Sequence, residues 1–175
     1  MIYRRLFIIV LLLSITGTSL QSTEHFSSIT NRHFGFSVRV PSRWKVKEVD
    51  LGYKYLVICT KDPFTEIVIS ATEQDLNTIE KWENWEEWYI EGKGYWLRRI
   101  VETKNLVLGN DMVAKLLLFE YQDKQKTVLD RVLISKFDER LIIIECKAPV
   151  SVYQRYSDIF TAVMGSLKKL EPAGD

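Results

Sequence analysis

Two histidines, two cysteines and a Trp-rich acidic segment are the residues of this 175-residue chain with the most chemistry to offer. His25 and His33 are its only histidines, and with Glu24 they are the one imaginable metal cluster. Such a site would have to order the polar lead that carries Glu24 and His25, so surface histidines are the expectation. Cys59 and Cys146 form an even pair, which permits a disulfide in an exported chain. Both lie inside strand-like patterns, and a bridge needs Cα atoms within about 7 Å, which would require the 53–60 and 141–147 strands to meet. Two buried thiols acting as small core residues are expected instead. Nucleophilic catalysis needs a base beside the nucleophile, yet the chain has no G-x-S-x-G, H-E-x-x-H, phosphate loop or C-x-x-C. No catalytic, cofactor-binding or metal-ligating residue is therefore expected, and the chain reads as a non-enzyme.

The aromatic segment points to binding. From Asn77 the pattern takes a helical period, and at roughly 100° per residue Ile79, Trp82, Tyr89 and Ile90 share one face with Trp85 beside them. Core packing accounts for most of these residues. Trp88 falls near the margin of the apolar arc, beside Lys81 and Glu87, and these three are the candidate partner-binding residues. The competing reading is that the 92–94 loop covers the indole. Glu86 projects near the apolar face and must reach water or a partner at its rim, whereas Glu80, Glu83, Glu87 and Glu91 are expected to form a solvated stripe, the alternative being a surface for a cation or a basic partner. Gly92 and Gly94 are expected to stop the helix.

The elements that position these residues follow from composition and patterning. With 46% hydrophobic, 12% aromatic and 27% charged residues the chain has a globular composition, and one compact domain is expected. Lys plus Arg number 24 against 23 for Asp plus Glu, a net charge of +1 that leaves no basic excess for a nucleic-acid backbone. Residues 1–21 carry Arg4 and Arg5, then an apolar run over 6–13 and small polar residues over 14–19, the layout of a secretory signal peptide. The apolar run is far shorter than the roughly 20 residues that span a bilayer as a helix, so no stable transmembrane segment is expected after processing. A cut before Leu20 or after Ser22 is expected, and no Cys follows to hold a lipid anchor. The organisation read here is a signal peptide over 1–22, a folded domain over 31–170 and a frayed tail over 171–175.

Within the domain, 33–40 alternates Phe34, Phe36, Val38 and Val40 against small and polar residues, a strand that Pro41 ends. Segments 53–60 and 65–72 are β-rich and predict an antiparallel hairpin. Segments 95–108, 112–123, 126–137 and 141–147 predict a four-strand antiparallel meander. Residues 141–144 are apolar at every position, so that strand must be covered on both faces. A last helix is expected after Pro149, with Ser151 and Gln154 as a capping box and a stripe of Val152, Tyr156, Ile159, Phe160, Val163, Leu167 and Leu170 docking on the sheet. Trp44 is expected to pack near the end of the first strand.

The segment Phe34-Gly35-Phe36-Ser37-Val38-Arg39-Val40-Pro41, followed by Trp44, resembles the opening of the PsbP family, where G-F-S-[IV]-x-[IV]-P precedes a Trp. A strand pair, an acidic helix, a meander around Leu108-Gly109 and a terminal helix with Tyr156, Phe160, Met164, Ser166 and Leu167 follow in the order this family uses. The resemblance covers about residues 31–170. It implies an α+β fold, an α-β-α sandwich around an antiparallel sheet, shared by extrinsic photosystem II subunits, bacterial envelope relatives and Ran-binding Mog proteins. Those relatives are mainly binding or assembly proteins, and no site of theirs maps onto this chain residue by residue. The resulting expectation is an exported domain, periplasmic, extracellular or lumenal, that binds a protein partner. The alternative is a carrier or sensor of a lipid or other hydrophobic ligand, which a large internal cavity would favour.

Overall fold

The computed structural model describes residues 24–73, 84–94, 96–109, 112–137 and 140–171, without the side chains of Trp88, Leu97, Arg98 and Phe137. The expected signal peptide, the part of the expected helix before Asn84 and residues 172–175 of the expected tail lie outside the described residues. Among the described residues, ten strands and three short helices follow in chain order: β1 Phe26–Asn31, β2 Phe36–Pro41, β3 Lys45–Asp50, β4 Lys54–Asp62, β5 Thr65–Glu73, α1 Trp85–Lys93, β6 Trp96–Leu108, β7 Met112–Asp123, β8 Lys126–Phe137, β9 Arg140–Pro149, α2 Val150–Tyr153, α3 Ser157–Gly165 and β10 Lys168–Lys169.

The predicted hairpin and meander are the two halves of a seven-stranded antiparallel sheet, ordered β3-β4-β5-β9-β8-β7-β6. The halves join where β5 pairs with β9, Ile67 opposite Cys146 and Ile69 opposite Ile144. This places β9 in the middle of the sheet and explains its unbroken apolar run. Ile142, Ile144, Cys146 and Ala148 face one core, while Leu141 and Ile143 face the other. Period-two alternation of direction in a strand buried on both sides yields that pattern.

α1 covers one face. Trp85 and Tyr89 are buried with Leu117, Phe119, Tyr121, Val128, Val132 and Ile134, and Ile90 packs at the edge. Trp85, which the periodicity sets beside the apolar face, is thus at its centre, while Ile79 and Trp82 lie outside the described residues. Gly92 is still helical, and Gly94, at φ 61°, is the left-handed residue that ends α1, its N–H donating to the Glu91 carbonyl.

The opposite face carries a larger core, covered by α2, α3 and a three-stranded sheet of order β1-β2-β10. The stripe on the terminal segment docks as expected, with Phe160, Val163 and Leu167 buried and Tyr156 and Ile159 packed beside them. Trp44 lies edge-on to Tyr156 and Phe160, with ring centroids 5.9 and 6.4 Å away.

Four details differ from the sequence reading. The terminal helix is broken in two between Tyr153 and Ser157, and neither piece has a side-chain cap, so Ser151 and Gln154 form no capping box. The lead holding Phe26 is strand β1, paired with β2 from Phe26 opposite Pro41 to Asn31 opposite Phe36. Its sequence hides this because only Ile29 and Asn31 are buried. β3 has no buried residue and so gives no apolar alternation, although it pairs with β4 throughout. β10 is two residues long, held on β2 and by the Leu170 N–H on the Gly35 carbonyl.

Cys59 and Cys146 are buried free thiols. Both pair in register with Ile67 of the strand between them, so two strand spacings, about 9–10 Å, separate them, beyond the reach of a disulfide. Desolvation, then the charge of Glu48, pushes the Cys59 thiol up to about 12, and burial likewise raises Cys146. Neither is a nucleophile at neutral pH.

Candidate binding surface

A groove of about 710 Å³ opens at one end of the sheet, on the α2/α3 side. Three segments far apart in the chain build it. The β4–β5 turn supplies Asp62 and Phe64, the β7–β8 turn supplies Gln125 and Lys126, and the start of α2 supplies Val150 and Val152. Each turn has a local cause. The Asp62 carboxylate accepts the Phe64 N–H at 2.9 Å, closing the first turn. Lys124 takes φ 52° in the tight second turn, and its carbonyl accepts from the Gln122 amide at 3.1 Å. Pro149 has extended backbone at the end of β9 and cannot donate, so the chain leaves the sheet there and turns into α2.

Phe64 and Val150 stay 46% and 45% exposed, large apolar side chains left at the rim. The Lys126 ammonium sits 3.1 Å from the Phe64 ring centroid, a cation–π contact that holds the ring over the groove. Glu120 on the far wall is clamped by Arg99 through two donors to one carboxylate oxygen, at 2.9 and 3.1 Å. The surface therefore combines apolar anchors with a mixed-charge rim, an arrangement suited to binding and without a nucleophile–base pair.

Of the residues that the sequence suggests for partner binding, Glu87 is exposed on α1, as is Glu91 of the acidic stripe. The Trp88 side chain and Lys81 lie outside the described residues. α1 sits across the sheet from the groove, so Glu87 and the groove belong to opposite faces. His33 lies 3.6 Å from Glu73, and His25 serves through its backbone carbonyl, which accepts from Ser42. Among the described residues no group of three or more His, Cys, Asp and Glu could hold a metal ion.

Beneath the C-terminal end of α1 lies a charged row that the sequence reading missed. Glu66, Lys147 and Asp130 are cross-strand neighbours on β5, β9 and β8. Lys147 pairs with Glu66 at 2.7 Å, and Lys93 of α1 reaches Glu145 at 2.6 Å. Asp130 is fully buried, and among the described residues neither of its oxygens has a hydrogen-bond partner. Desolvation, then the charges of Glu145 and Glu66, holds its carboxyl well above the ordinary value, against the lowering pull of Lys147 and Lys93. With two ion pairs already balanced around it, a proton on Asp130 leaves the cluster neutral. The signal was present: Asp130 interrupts the core-facing alternation Val128, Val132, Ile134 at the one position where an acid must be buried.

The chain has an α+β architecture, an antiparallel sheet with helices on both faces and an open groove at one end. It is the PsbP-like fold. The structure is similar to cyanobacterial PsbP (CyanoP) from Synechocystis sp. PCC 6803, with a TM-score of 0.61 at 11% identity, covering 90% of this chain and 98% of that one. It is also similar to LpqN of Mycobacterium tuberculosis, a protein involved in cell envelope biogenesis, with a TM-score of 0.53 at 15% identity over 85% of this chain and 87% of that one. A Pseudomonas aeruginosa protein of unknown function aligns with a TM-score of 0.51 at 10% identity, over 86% of this chain and 99% of its own. No family model matches the chain, and no curated protein does. Among the described residues no helix is long and apolar enough to cross a membrane.

Proposed function

We propose that this chain is an exported, non-enzymatic PsbP-like domain that binds a protein partner in the cell envelope or a lumenal compartment. The carrying observation is where apolar surface is found. Among the described residues, buried side chains pack on both faces of the large sheet, while Phe64 and Val150 remain exposed beside an open groove. A carrier of hydrophobic ligands needs an enclosed apolar space, whereas a docking module needs a few anchors left at the surface. The envelope role of LpqN, which shares the fold, supports the compartment.

Export rests on residues 1–22 acting as a cleaved signal peptide. The intact mass of the protein recovered outside the cytoplasm is expected to correspond to a chain beginning at Leu20 or Thr23. The full chain from Met1 in the membrane fraction would mean an uncleaved anchor instead.

Two surfaces compete for the partner, the groove and the outer edge of the helix that the sequence predicts over 77–91, with Trp88, Lys81 and Glu87. Capture from the native envelope with wild-type protein, a Phe64→Ala, Val150→Asp variant and a Trp88→Ala variant separates them. The groove variant is expected to lose the partner while keeping the wild-type unfolding temperature. Loss only in Trp88→Ala would move the site to α1. Recovery of a bound lipid with no protein would replace this reading with the carrier.

A further inference from the structure

The two edges of the seven-stranded sheet are built differently. β3 is six residues long and exposes Lys45, Lys47, Glu48 and Asp50, a short charged edge of the kind that resists pairing. β6 is 13 residues long and has no proline. It exposes Trp96, Ile100, Val101 and Val107, with Trp96 at 82% and Val107 at 72%. Among the described residues no strand pairs with its outer side. Register shifts toward β7 fall between Leu97 and Arg99 and between Ile100 and Glu102, and from Glu102 to Leu108 the ladder is regular. These irregularities lie on either side of Ile100, and from Glu102 onward the edge offers a regular row of backbone groups.

We propose that the outer edge of β6 pairs antiparallel with β6 of a second copy of this chain, about a two-fold axis at Thr103, so that two seven-stranded sheets become one. The sequence around Thr103 is complementary to its own reverse. Glu102 and Lys104 flank it, project to the same side of the strand, and form an ion pair within one chain. A two-fold axis at Thr103 sets Glu102 opposite Lys104 of the second copy, and Lys104 opposite its Glu102. Four charges then alternate in sign around the axis. Moving the axis by one residue puts Lys104 on Lys104 or Glu102 on Glu102, and like charges directly opposite are destabilising. The charge pattern therefore favours a second copy of this chain in this register over the two neighbouring ones. The unpaired backbone N–H and C=O groups of β6 supply the attraction, as in other strand additions. The groove and α1 take no part, so this pairing stands or falls apart from the proposed function.

Sedimentation velocity of the purified chain over a concentration series is the first test, with a reversible dimer expected. Glu102→Lys and Lys104→Glu should each weaken the dimer about tenfold, equivalent to roughly 1.4 kcal/mol, and the combined charge swap should restore it. A Thr103→Cys variant should form a cross-linked dimer under mild oxidation, while Asn105→Cys should not, because Asn105 does not meet its own copy in this register. Cys59 and Cys146 are buried and do not compete. Wild-type protein that stays monomeric at its highest soluble concentration overturns the proposal, even if β6 then pairs with a foreign strand. A dimer insensitive to both charge reversals, or one that cross-links through Asn105→Cys and not Thr103→Cys, overturns it equally.

Discussion

Phe160→Ala is expected to lower the unfolding free energy by about 3–5 kcal/mol, as large-to-small changes at fully enclosed aromatic sites do. Phe160 is completely buried, and three rings surround it, Tyr153 at 5.5 Å, Tyr156 at 6.1 Å and Trp44 at 6.4 Å between centroids. These come from α2, the α2–α3 break and the β2–β3 turn, so one side chain joins elements on the α2/α3 face of the large sheet. None can collapse into the space without leaving its own contacts. Denaturant unfolding followed by Trp fluorescence measures the loss. A change below about 1 kcal/mol would mean that the α3 face does not carry the core in the way its burial implies.

Asp130→Asn is expected to work in the opposite direction, stabilising the protein at pH 8 by about 1.4 kcal/mol for each pH unit over which the folded wild type keeps a proton that the unfolded chain releases. A carboxyl raised in the folded state keeps a proton that the unfolded chain releases, so stability falls as pH rises above the ordinary value of 3.8. The loss continues until Asp130 ionises in the folded protein. Asparagine matches the protonated acid in size and neutrality and carries no such penalty. The wild type and the variant should therefore have similar stability near pH 4 and separate progressively above it. Thermal unfolding of both proteins from pH 4 to pH 8 decides the matter. Parallel curves would show that Asp130 is ionised and matched by Lys147 and Lys93 throughout.

Much of this architecture is legible in one dimension because strand alternation is a local property. The β4–β5 hairpin, the β6–β9 meander, the two-sided β9 and the stripe ending in Phe160, Val163 and Leu167 all follow from which residues must leave water. Where few residues are buried, or the strand is very short, the signal fades, and β1, β3 and β10 were invisible for that reason. Their strands are held by backbone hydrogen bonds, which any sequence can make. Asp130 stands between these cases. Its place in the alternation required burial, but its surroundings, with Lys147 opposite it paired to Glu66 on a strand more than 60 residues away and no hydrogen-bond partner for its oxygens among the described residues, depended on strand order.

The chain's composition and patterning determined an antiparallel α+β domain with apolar surface on both sides of the sheet and two thiols in its strands. Tertiary structure alone decided that β5 pairs with β9, which separates the cysteines by a strand and leaves β6 as a long outer edge. It also brought Phe64, Lys126 and Val150 to one groove from three turns. Alternation specifies which way a side chain faces, and strand order specifies what it meets there. The second is set by competition among all long-range pairings at once, so no local window of residues contains it.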